Sequence, residues 1–166
     1  MIKEAFPDKV MIGIWKVVTE GCDVYITPTM KEVEELREID SDIIAEDGTE
    51  RINCNGRKAY ELIREIKETY PDQVVMADIA TINDARHSVE AGADIISTTL
   101  SGYTEDSLDR YALGTDFDLI EQIRKEFPEV FINAEGRIWT REEAKKAYEC
   151  GADVIVVGTA ITNPMS

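Results

Sequence analysis

The chain has 166 residues, with 34 acidic and 18 basic side chains, and its formal net charge is −16 at pH 7. Such a negative field repels phosphate backbones, so we expect no nucleic-acid partner. The sequence lacks the basic start and apolar core of a signal peptide, and no apolar run approaches the roughly 20 residues of a membrane span. We therefore expect no membrane partner, and a single domain over residues 1–166.

The cysteines indicate the cellular compartment and whether a metal site is present. There are three, Cys22, Cys54 and Cys150, and none belongs to a CxxC or Cys/His pattern. An odd number without such spacing argues against a metal site and against a disulfide framework. It is typical of the reducing cytoplasm, so we expect a cytoplasmic protein without a bound metal.

Six apolar runs rich in β-branched residues occur along the chain, and each stops at a polar residue or at a glycine. Helical patterns separate most of them. Continuous apolar runs of this kind predict strands of a parallel sheet that is covered by helices. The predicted strands cover residues 10–15, 43–45, 74–77, 95–97, 130–134 and 154–157.

The predicted helices carry recognisable start signals. Residues 1–9 have the pattern of the end of a helix. Thr29 is placed to cap the next helix, with Glu32 three residues later for a capping box. Thr140 and Glu143 repeat this pattern before the last helix. The predicted helices cover residues 30–39, 56–70, 81–91, 116–127 and 140–150.

The alternation of strands and helices predicts parallel pairing with right-handed crossovers. An open doubly wound sheet and a (β/α) barrel both satisfy this pattern. We favour the barrel, because functional-looking groups end all six strands instead of clustering at one switch point. A complete barrel of eight units runs to about 250 residues. We therefore expect an α/β fold of the TIM (β/α)8 type, incomplete, with six parallel strands.

A lysine and two carboxylates at strand ends are candidate catalytic groups. Lys16 follows the first strand, where a lysine can form a Schiff base, anchor a phosphate, act as a general base or simply lie on the surface. Asp78 ends an apolar strand, so we expect it to orient Lys16, with helix capping as the alternative. Asp47 has the same ambiguity, and its surroundings also have the pattern of a turn.

A phosphate site is predicted where the last two strands end. Glu135 is followed by Gly136 and Arg137, so a ligand can approach the backbone beside a cation. Gly158 and Thr159 provide a second glycine loop at the next strand end. Phosphate sites of barrels often lie between the loops of the last two strands, and backbone amides here would suit one. Two ordinary strand-to-helix turns are the alternative.

The remaining polar groups narrow the chemistry. Thr99 offers a hydroxyl for the rim of a sugar or phosphate site. His87, the single histidine, lies in a polar helical stretch, so triad chemistry is unsupported. A general base and a general acid beside a phosphate anchor suit proton transfer at a carbon next to a carbonyl. The epimerisation or isomerisation of a sugar phosphate belongs to that class.

Six short phrases, spread over nearly the whole chain, carry a resemblance to a known family. They are Gly13-Ile14-Trp15-Lys16, Val24-Tyr25-Ile26-Thr27-Pro28-Thr29, Met76-Ala77-Asp78-Ile79, Thr98-Thr99-Leu100-Ser101-Gly102-Tyr103-Thr104, Ala134-Glu135-Gly136-Arg137-Ile138 and Val156-Val157-Gly158-Thr159-Ala160-Ile161-Thr162. With them the chain resembles the N-acetylmannosamine-6-phosphate 2-epimerases, enzymes of sialic acid catabolism with a (β/α)8 barrel. The combination is highly specific, whereas each phrase alone is not.

The resemblance implies that the protein interconverts N-acetylmannosamine 6-phosphate and N-acetylglucosamine 6-phosphate without a cofactor. It also implies a homodimer that binds this small sugar phosphate as its substrate. It implies that Lys16 moves the proton at C2, with Glu135 as the acid/base partner and Asp78 holding the lysine and the substrate. The residues expected to bind the substrate and its phosphate are Gly136, Arg137, Gly158, Thr159, Thr99 and Asp47.

Several positions depart from the family pattern. Val17-Val18-Thr19 stands where the family has Arg-Asp-Tyr, and Asn163 where it has an arginine. Relative to the family, the first two strand–helix units and the last helix are expected to be absent, and activity to be impaired. Another phosphate-handling barrel isomerase and a non-catalytic phosphosugar-binding module are therefore the alternatives.

Overall fold

A parallel sheet of six strands forms the centre of the structure. The computed structural model describes residues 2–163. Neighbouring strands follow one another in chain order, and every pairing is parallel. This is the order of a barrel wall, whereas a doubly wound sheet reverses at a switch point, so the six predicted parallel strands are confirmed. The strands are β1 (Ile12–Gly13), β2 (Ile43–Asp47), β3 (Val74–Asp78), β4 (Ile95–Ser97), β5 (Phe131–Glu135) and β6 (Val154–Val156).

A helix lies in each connection between consecutive strands, as parallel pairing requires. The connection from β4 to β5 also contains two 3₁₀ segments, Thr98–Leu100 and Glu105–Leu113. Within the described residues the α-helices are α1 (Ile2–Ala5), α2 (Met30–Glu38), α3 (Glu61–Thr69), α4 (Ile82–Ala91), α5 (Phe117–Glu126), α6 (Arg141–Glu149) and α7 (Thr159–Thr162).

The main core lies between the sheet and the helices. Successive side chains of a strand point to opposite faces, so every second residue of each strand faces the helices. Ile44, Val75, Ile96 and Ile132 occupy such positions and are fully buried. The helices cover them with apolar faces whose members recur at helical spacing. The buried residues that α3 and α5 contribute are Leu62, Ile63, Ile66, Leu119, Ile120 and Ile123.

The opposite face of the sheet is layered across the strands. An apolar layer pairs Ala45, Met76, Ile95 and Phe131 in register. Two residues further along each strand, a polar layer takes its place, and its members are all buried. The register therefore stacks a polar layer on an apolar one at the carboxyl ends of the strands. The polar layer consists of Asp47, Asp78, Ser97 and Asn133.

Two helix-start predictions had different outcomes. The predicted capping box at Thr140 and Glu143 is confirmed, with the Glu143 amide 3.1 Å from the Thr140 hydroxyl oxygen. The predicted box at Thr29 was wrong. Thr29 occupies the N-cap position, but its hydroxyl donates to the Glu32 carboxylate and caps no backbone amide.

The predicted start of α3 at Gly56 was also wrong, because the helix begins five residues later at Glu61. The Asn53 side-chain oxygen accepts the backbone N–H groups of Asn55 and Arg57, at 3.0 and 3.1 Å. This local bonding closes a turn in place of a helical turn. Gly56 supports the turn with a φ of +75°.

Strand β1 is shorter than the predicted run over residues 10–15. After Gly13 the chain turns to pair with residues that follow it, and Lys16 forms an isolated antiparallel bridge with Ile26. Thr27 fastens this loop to the sheet. Its amide donates to the Trp15 carbonyl at 2.8 Å, and its hydroxyl donates to the Ala45 carbonyl at 2.6 Å. The loop that carries Lys16 is therefore attached to β2.

Cys22 and Cys54 form a disulfide, with their Cα atoms 5.5 Å apart, so the expectation that the cysteine pattern argues against disulfides was wrong. The bridge joins the loop after β1 to the loop after β2, which are neighbours because the two strands pair. The sequence separation of 32 residues conceals this proximity. Cys150 is a free, buried cysteine.

Reduction is expected to destabilise the chain, because the disulfide restricts the unfolded ensemble. A reductant should lower the free energy of unfolding by about 3 kcal/mol. Urea unfolding with and without the reductant measures this. The double variant Cys22→Ser/Cys54→Ser is the control and should not respond. An unchanged urea midpoint in the parent chain would contradict the pairing.

Glu46 is a fully buried carboxyl group without a partner. It pairs in register with Ala77, a member of the main core, and neither of its carboxylate oxygens has a hydrogen-bond partner. Burial raises the pKa of Glu46 well above its usual value, and the negative charges of Asp47 and Asp78 raise it further. An apolar side chain would be the better fit at this position.

Replacing Glu46 with leucine is expected to stabilise the protein at neutral pH. A raised folded-state pKa means that the carboxyl favours folding at low pH and that this contribution is lost as the pH rises through the folded-state value. Glu46→Leu should therefore raise the free energy of unfolding at pH 7 by about 1–3 kcal/mol, with a smaller gain at pH 4. The exposed Glu68→Leu is the control. Urea titrations that show a less stable Glu46→Leu would refute the assignment.

Candidate functional site

The carboxyl ends of the strands bring the predicted catalytic groups to one edge of the sheet. Asp47 and Asp78 are the last residues of β2 and β3 and are paired in register. Glu135 is the last residue of β5. Lys16 lies three residues beyond β1, and its charge acts on Glu135 across the mouth of the sheet. The structure thus gathers these four groups on one side of the molecule.

Asp78 is buried, and its carboxyl is hydrogen-bonded by hydroxyl groups instead of being paired with a cation. The Thr99 hydroxyl donates to its Oδ1 at 2.9 Å. Burial raises the pKa of Asp78 to about 8, opposed by hydrogen bonds from Thr99 and Ser97 and reinforced by the charges of Glu135 and Asp47. At pH 7 the carboxyl is therefore mostly protonated and can donate a hydrogen bond.

The predicted ion pair between Lys16 and Asp78 was wrong. Within residues 2–163, no lysine or arginine nitrogen lies within 4.0 Å of the Asp78 carboxyl. The Lys16 side chain is exposed, with its ammonium 6.0 Å from the centre of the Tyr25 ring. The alternative of helix capping was wrong as well, because Thr81 caps α4.

Asp47 is engaged by its own loop. Its carboxylate accepts the Thr49 amide at 3.0 Å and the Thr49 hydroxyl at 2.6 Å, and it forms an ion pair with Arg51. Burial raises the pKa of Asp47, while Arg51 and Thr49 lower it. This bonding closes a turn after β2, as the turn interpretation of the sequence predicts.

Glu135 is half-buried at the end of β5. Burial raises the pKa of its carboxyl, and three groups oppose that shift: hydrogen bonds from Thr99 and Asn133 and the positive charge of Lys16. The Thr98 hydroxyl accepts the Glu135 amide at 3.1 Å and fixes the backbone there. Among the predicted residues, Glu135 is the one that both Lys16 and the polar layer influence.

The loop after β5 has a backbone that favours a close approach. Gly136 and Arg137 both have positive φ, at +116° and +56°. The Arg137 guanidinium donates to the carbonyls of Gly114 and Ser101, and it lies 5.3 Å from the centre of the Tyr103 ring. Its charge has no carboxylate partner within residues 2–163. The arginine therefore holds the neighbouring loop and contributes positive charge without direct neutralisation.

The loop after β6 leaves the sheet next to the loop after β5, because Val156 pairs with Glu135. Gly158 is the N-cap of the four-residue helix α7, which begins at Thr159. The Gly158 carbonyl accepts the Ile161 amide at 2.9 Å. The structure thus places the two predicted phosphate loops at adjacent strand ends.

The sequence interpretation missed Ser97, Asn133 and Thr27. Ser97 and Asn133 belong to the buried polar layer, and Thr27 attaches the Lys16 loop to β2. A signal was available for Asn133. It precedes Glu135 by two residues on one strand, so both side chains point to the same face.

The described residues lack two other kinds of feature. No group of histidine, cysteine, aspartate or glutamate side chains within residues 2–163 is arranged to hold a metal ion. No helix in that range has the length and apolar character needed to cross a membrane.

Comparisons with known proteins converge on one family. A family profile described as "Putative N-acetylmannosamine-6-phosphate epimerase" matches residues 4–166. A relative from Caldanaerobacter subterraneus subsp. tengcongensis, named "Putative N-acetylmannosamine-6-phosphate 2-epimerase", is 49% identical over 154 residues, which is 93% of this chain and 64% of the relative. A relative of the same name from Mycoplasma mycoides subsp. mycoides is 42% identical over 152 residues, 92% of this chain and 66% of the relative.

A solved structure gives the same result for the fold. The N-acetylmannosamine-6-phosphate 2-epimerase from Clostridium perfringens superposes with a TM-score of 0.87 at 41% identity, covering 98% of this chain and 69% of that one. The predicted barrel class is thereby confirmed. The chain spans slightly less than two thirds of the length of the two relatives above.

Asp78→Asn is expected to flatten the pH dependence of stability. The pKa of Asp78 is raised from 3.8 to about 8, so its contribution to folding is complete below the lower value and is lost as the pH rises through the higher one. The variant should match the parent near pH 4 and exceed its free energy of unfolding above pH 8, as urea titrations across this range will measure. The exposed Asp72→Asn is the control. Identical pH profiles for Asp78→Asn and the parent would contradict the assignment.

Proposed function

The chain belongs to the N-acetylmannosamine-6-phosphate epimerase family, and from this membership we propose that it interconverts N-acetylmannosamine 6-phosphate and N-acetylglucosamine 6-phosphate. It acts as a cofactor-independent isomerase that moves the proton at C2. The observation that carries the proposal is that Lys16 and Glu135 lie at the same edge of the sheet, where the lysine charge lowers a carboxyl pKa that burial raises.

The proposed chemistry is a proton transfer next to a carbonyl. The C2 proton of the open-chain sugar is acidified by the C1 aldehyde, so a base can remove it and an acid can return it to the opposite face. Lys16, after losing its own proton, and Glu135 take these two roles. Asp78, mostly protonated at pH 7, donates a hydrogen bond to the substrate.

The phosphate is proposed to bind between the loops that follow β5 and β6. Support comes from Gly136, whose missing side chain lets a ligand approach the backbone of this loop. The Arg137 charge, unopposed by a carboxylate within residues 2–163, favours an anion at this position. Gly158 and Thr159 provide amides from the adjacent strand end. Thr99 and Asp47 contact the sugar.

Three further points belong to the proposal. Residues 1–166 act as one phosphate-binding barrel domain, the protein works as a homodimer, and its compartment is the cytoplasm, where thiols are normally reduced. Disulfides are rare in that compartment, so the redox state of Cys22 and Cys54 tests the last point. Thiol alkylation in freshly lysed cells measures the redox state of this pair and thereby tests the proposed compartment.

The central test is proton NMR of N-acetylmannosamine 6-phosphate in heavy water with the purified chain. We expect the C2 proton signal to disappear and N-acetylglucosamine 6-phosphate to form. Lys16→Ala should slow this exchange by a factor of about 100 or more. Lys31→Ala, which removes an exposed lysine from α2, is the matched control and should exchange like the parent.

Two outcomes count against the proposal. A folded, unmutated chain that incorporates no deuterium at C2 would rule out epimerase activity for these 166 residues. Undiminished exchange by Lys16→Ala would assign the proton transfer to another group.

A further inference from the structure

A continuous series of hydrogen bonds runs beneath the proposed site and joins its two carboxyl groups. Asn133 Nδ2 lies 2.8 Å from Ser97 Oγ, and Ser97 Oγ lies 2.7 Å from Thr99 Oγ1. Thr99 in turn donates to Asp78 Oδ1 at 2.9 Å. The same Asn133 nitrogen lies 3.5 Å from Glu135 Oε2. Asn133 thus connects Glu135 with the series that ends at Asp78, and Thr99 also contacts Glu135.

The donor is fixed in the bonds that Asn133 makes, because an amide nitrogen only donates. Its Nδ2 therefore donates to the Ser97 oxygen and to the Glu135 carboxylate. In the bond between Ser97 and Thr99, either hydroxyl can donate. An ionised Glu135 fixes the amide in this orientation, because only the nitrogen can donate to a carboxylate.

This arrangement is costly for the fold. Asn133 is 1% exposed, and its Oδ1 is buried without a hydrogen-bond partner. Leaving a buried acceptor unpaired destabilises the folded state. An aliphatic side chain of similar size would avoid that loss. The asparagine is therefore better explained by what its nitrogen donates than by packing.

We propose that Asn133 is a positioning residue that holds Glu135 and, through Ser97 and Thr99, Asp78 in fixed orientations toward the substrate. The expected effect on catalysis rests on the proposed function. The hydrogen-bond series itself does not depend on it. Removing the asparagine donor leaves Glu135 with fewer partners for its ionised form, so the pH at which Glu135 titrates rises.

Other charged groups also face this series, and they too affect the pH at which Glu135 titrates. Glu135 faces Lys16 from the loop after β1 and Asp78 from β3. Asp78 also faces Asp47 from β2, and its charge acts on Glu46, which lies on the opposite face of that strand. A change at Asn133 leaves all of these charges in place, so a shift in the titration of Glu135 reports the lost donor.

The decisive experiment is a carbon-13 NMR titration of the Glu135 carboxyl in the parent chain and in Asn133→Leu, with the signal assigned from Glu135→Gln. We expect the titration of Glu135 to move to higher pH in the variant, while the thermal midpoint does not fall. Gln73→Leu is the matched control. It removes a buried amide at the opposite end of the sheet, where Gln73 contacts Arg37 and Asp42, and it should leave Glu135 unchanged.

Asn133→Asp gives a second variant. It removes the donor and adds a negative charge, so Glu135 should titrate at higher pH than in the parent, and at least as high as in Asn133→Leu, which isolates the loss of the donor. In turnover assays kcat should fall by about tenfold or more at an unchanged KM. A Glu135 titration that neither variant moves would overturn the inference. A titration that moves in a chain without C2 exchange would retain the positioning role and reject the proposed function.

Discussion

The register of the parallel sheet is the constraint on which the rest of the structure depends. Because Asp47, Asp78, Ser97 and Asn133 are paired across four adjacent strands, their side chains share one face and one height. A shift of one residue in any strand would turn its polar group toward the helices. The apolar layer below and the main core on the opposite face fix the register. The site is therefore a consequence of how the core packs.

Burial of like charges determines the chemistry available at this edge. Glu46, Asp47, Asp78 and Glu135 all have raised pKa values, with burial as the largest cause for each. Arg51 is the cation in direct contact with one of them within the described residues. Asp78, whose pKa is raised to about 8, is thus partly neutral at physiological pH, which is the condition for exchanging protons near neutrality.

Local patterns predicted the features that depend on local physics. The apolar runs predicted the six strands, and the threonine signal at Thr140 predicted a helix start, because both depend on neighbouring residues. The gathering of Lys16, Asp78 and Glu135 at one edge followed from parallel topology. The contacts among these three residues could not be predicted, because hydroxyl groups from another strand end hydrogen-bond to Asp78. The Cys22–Cys54 pair was missed for the same reason, since only the adjacency of two loops brings it together.

The residues that respond to an added ligand show directly whether the carboxyl ends of the strands form the binding site. Nitrogen-15 and proton correlation spectra of the chain, titrated with N-acetylmannosamine 6-phosphate, report which amides respond. We expect shifts at the carboxyl ends of the strands, with Gly48, Thr99, Gly136 and Gly158 among the residues affected. Shifts confined to the opposite end of the sheet, around Asp42 and Gln73, or no saturable shift at all, would contradict this expectation.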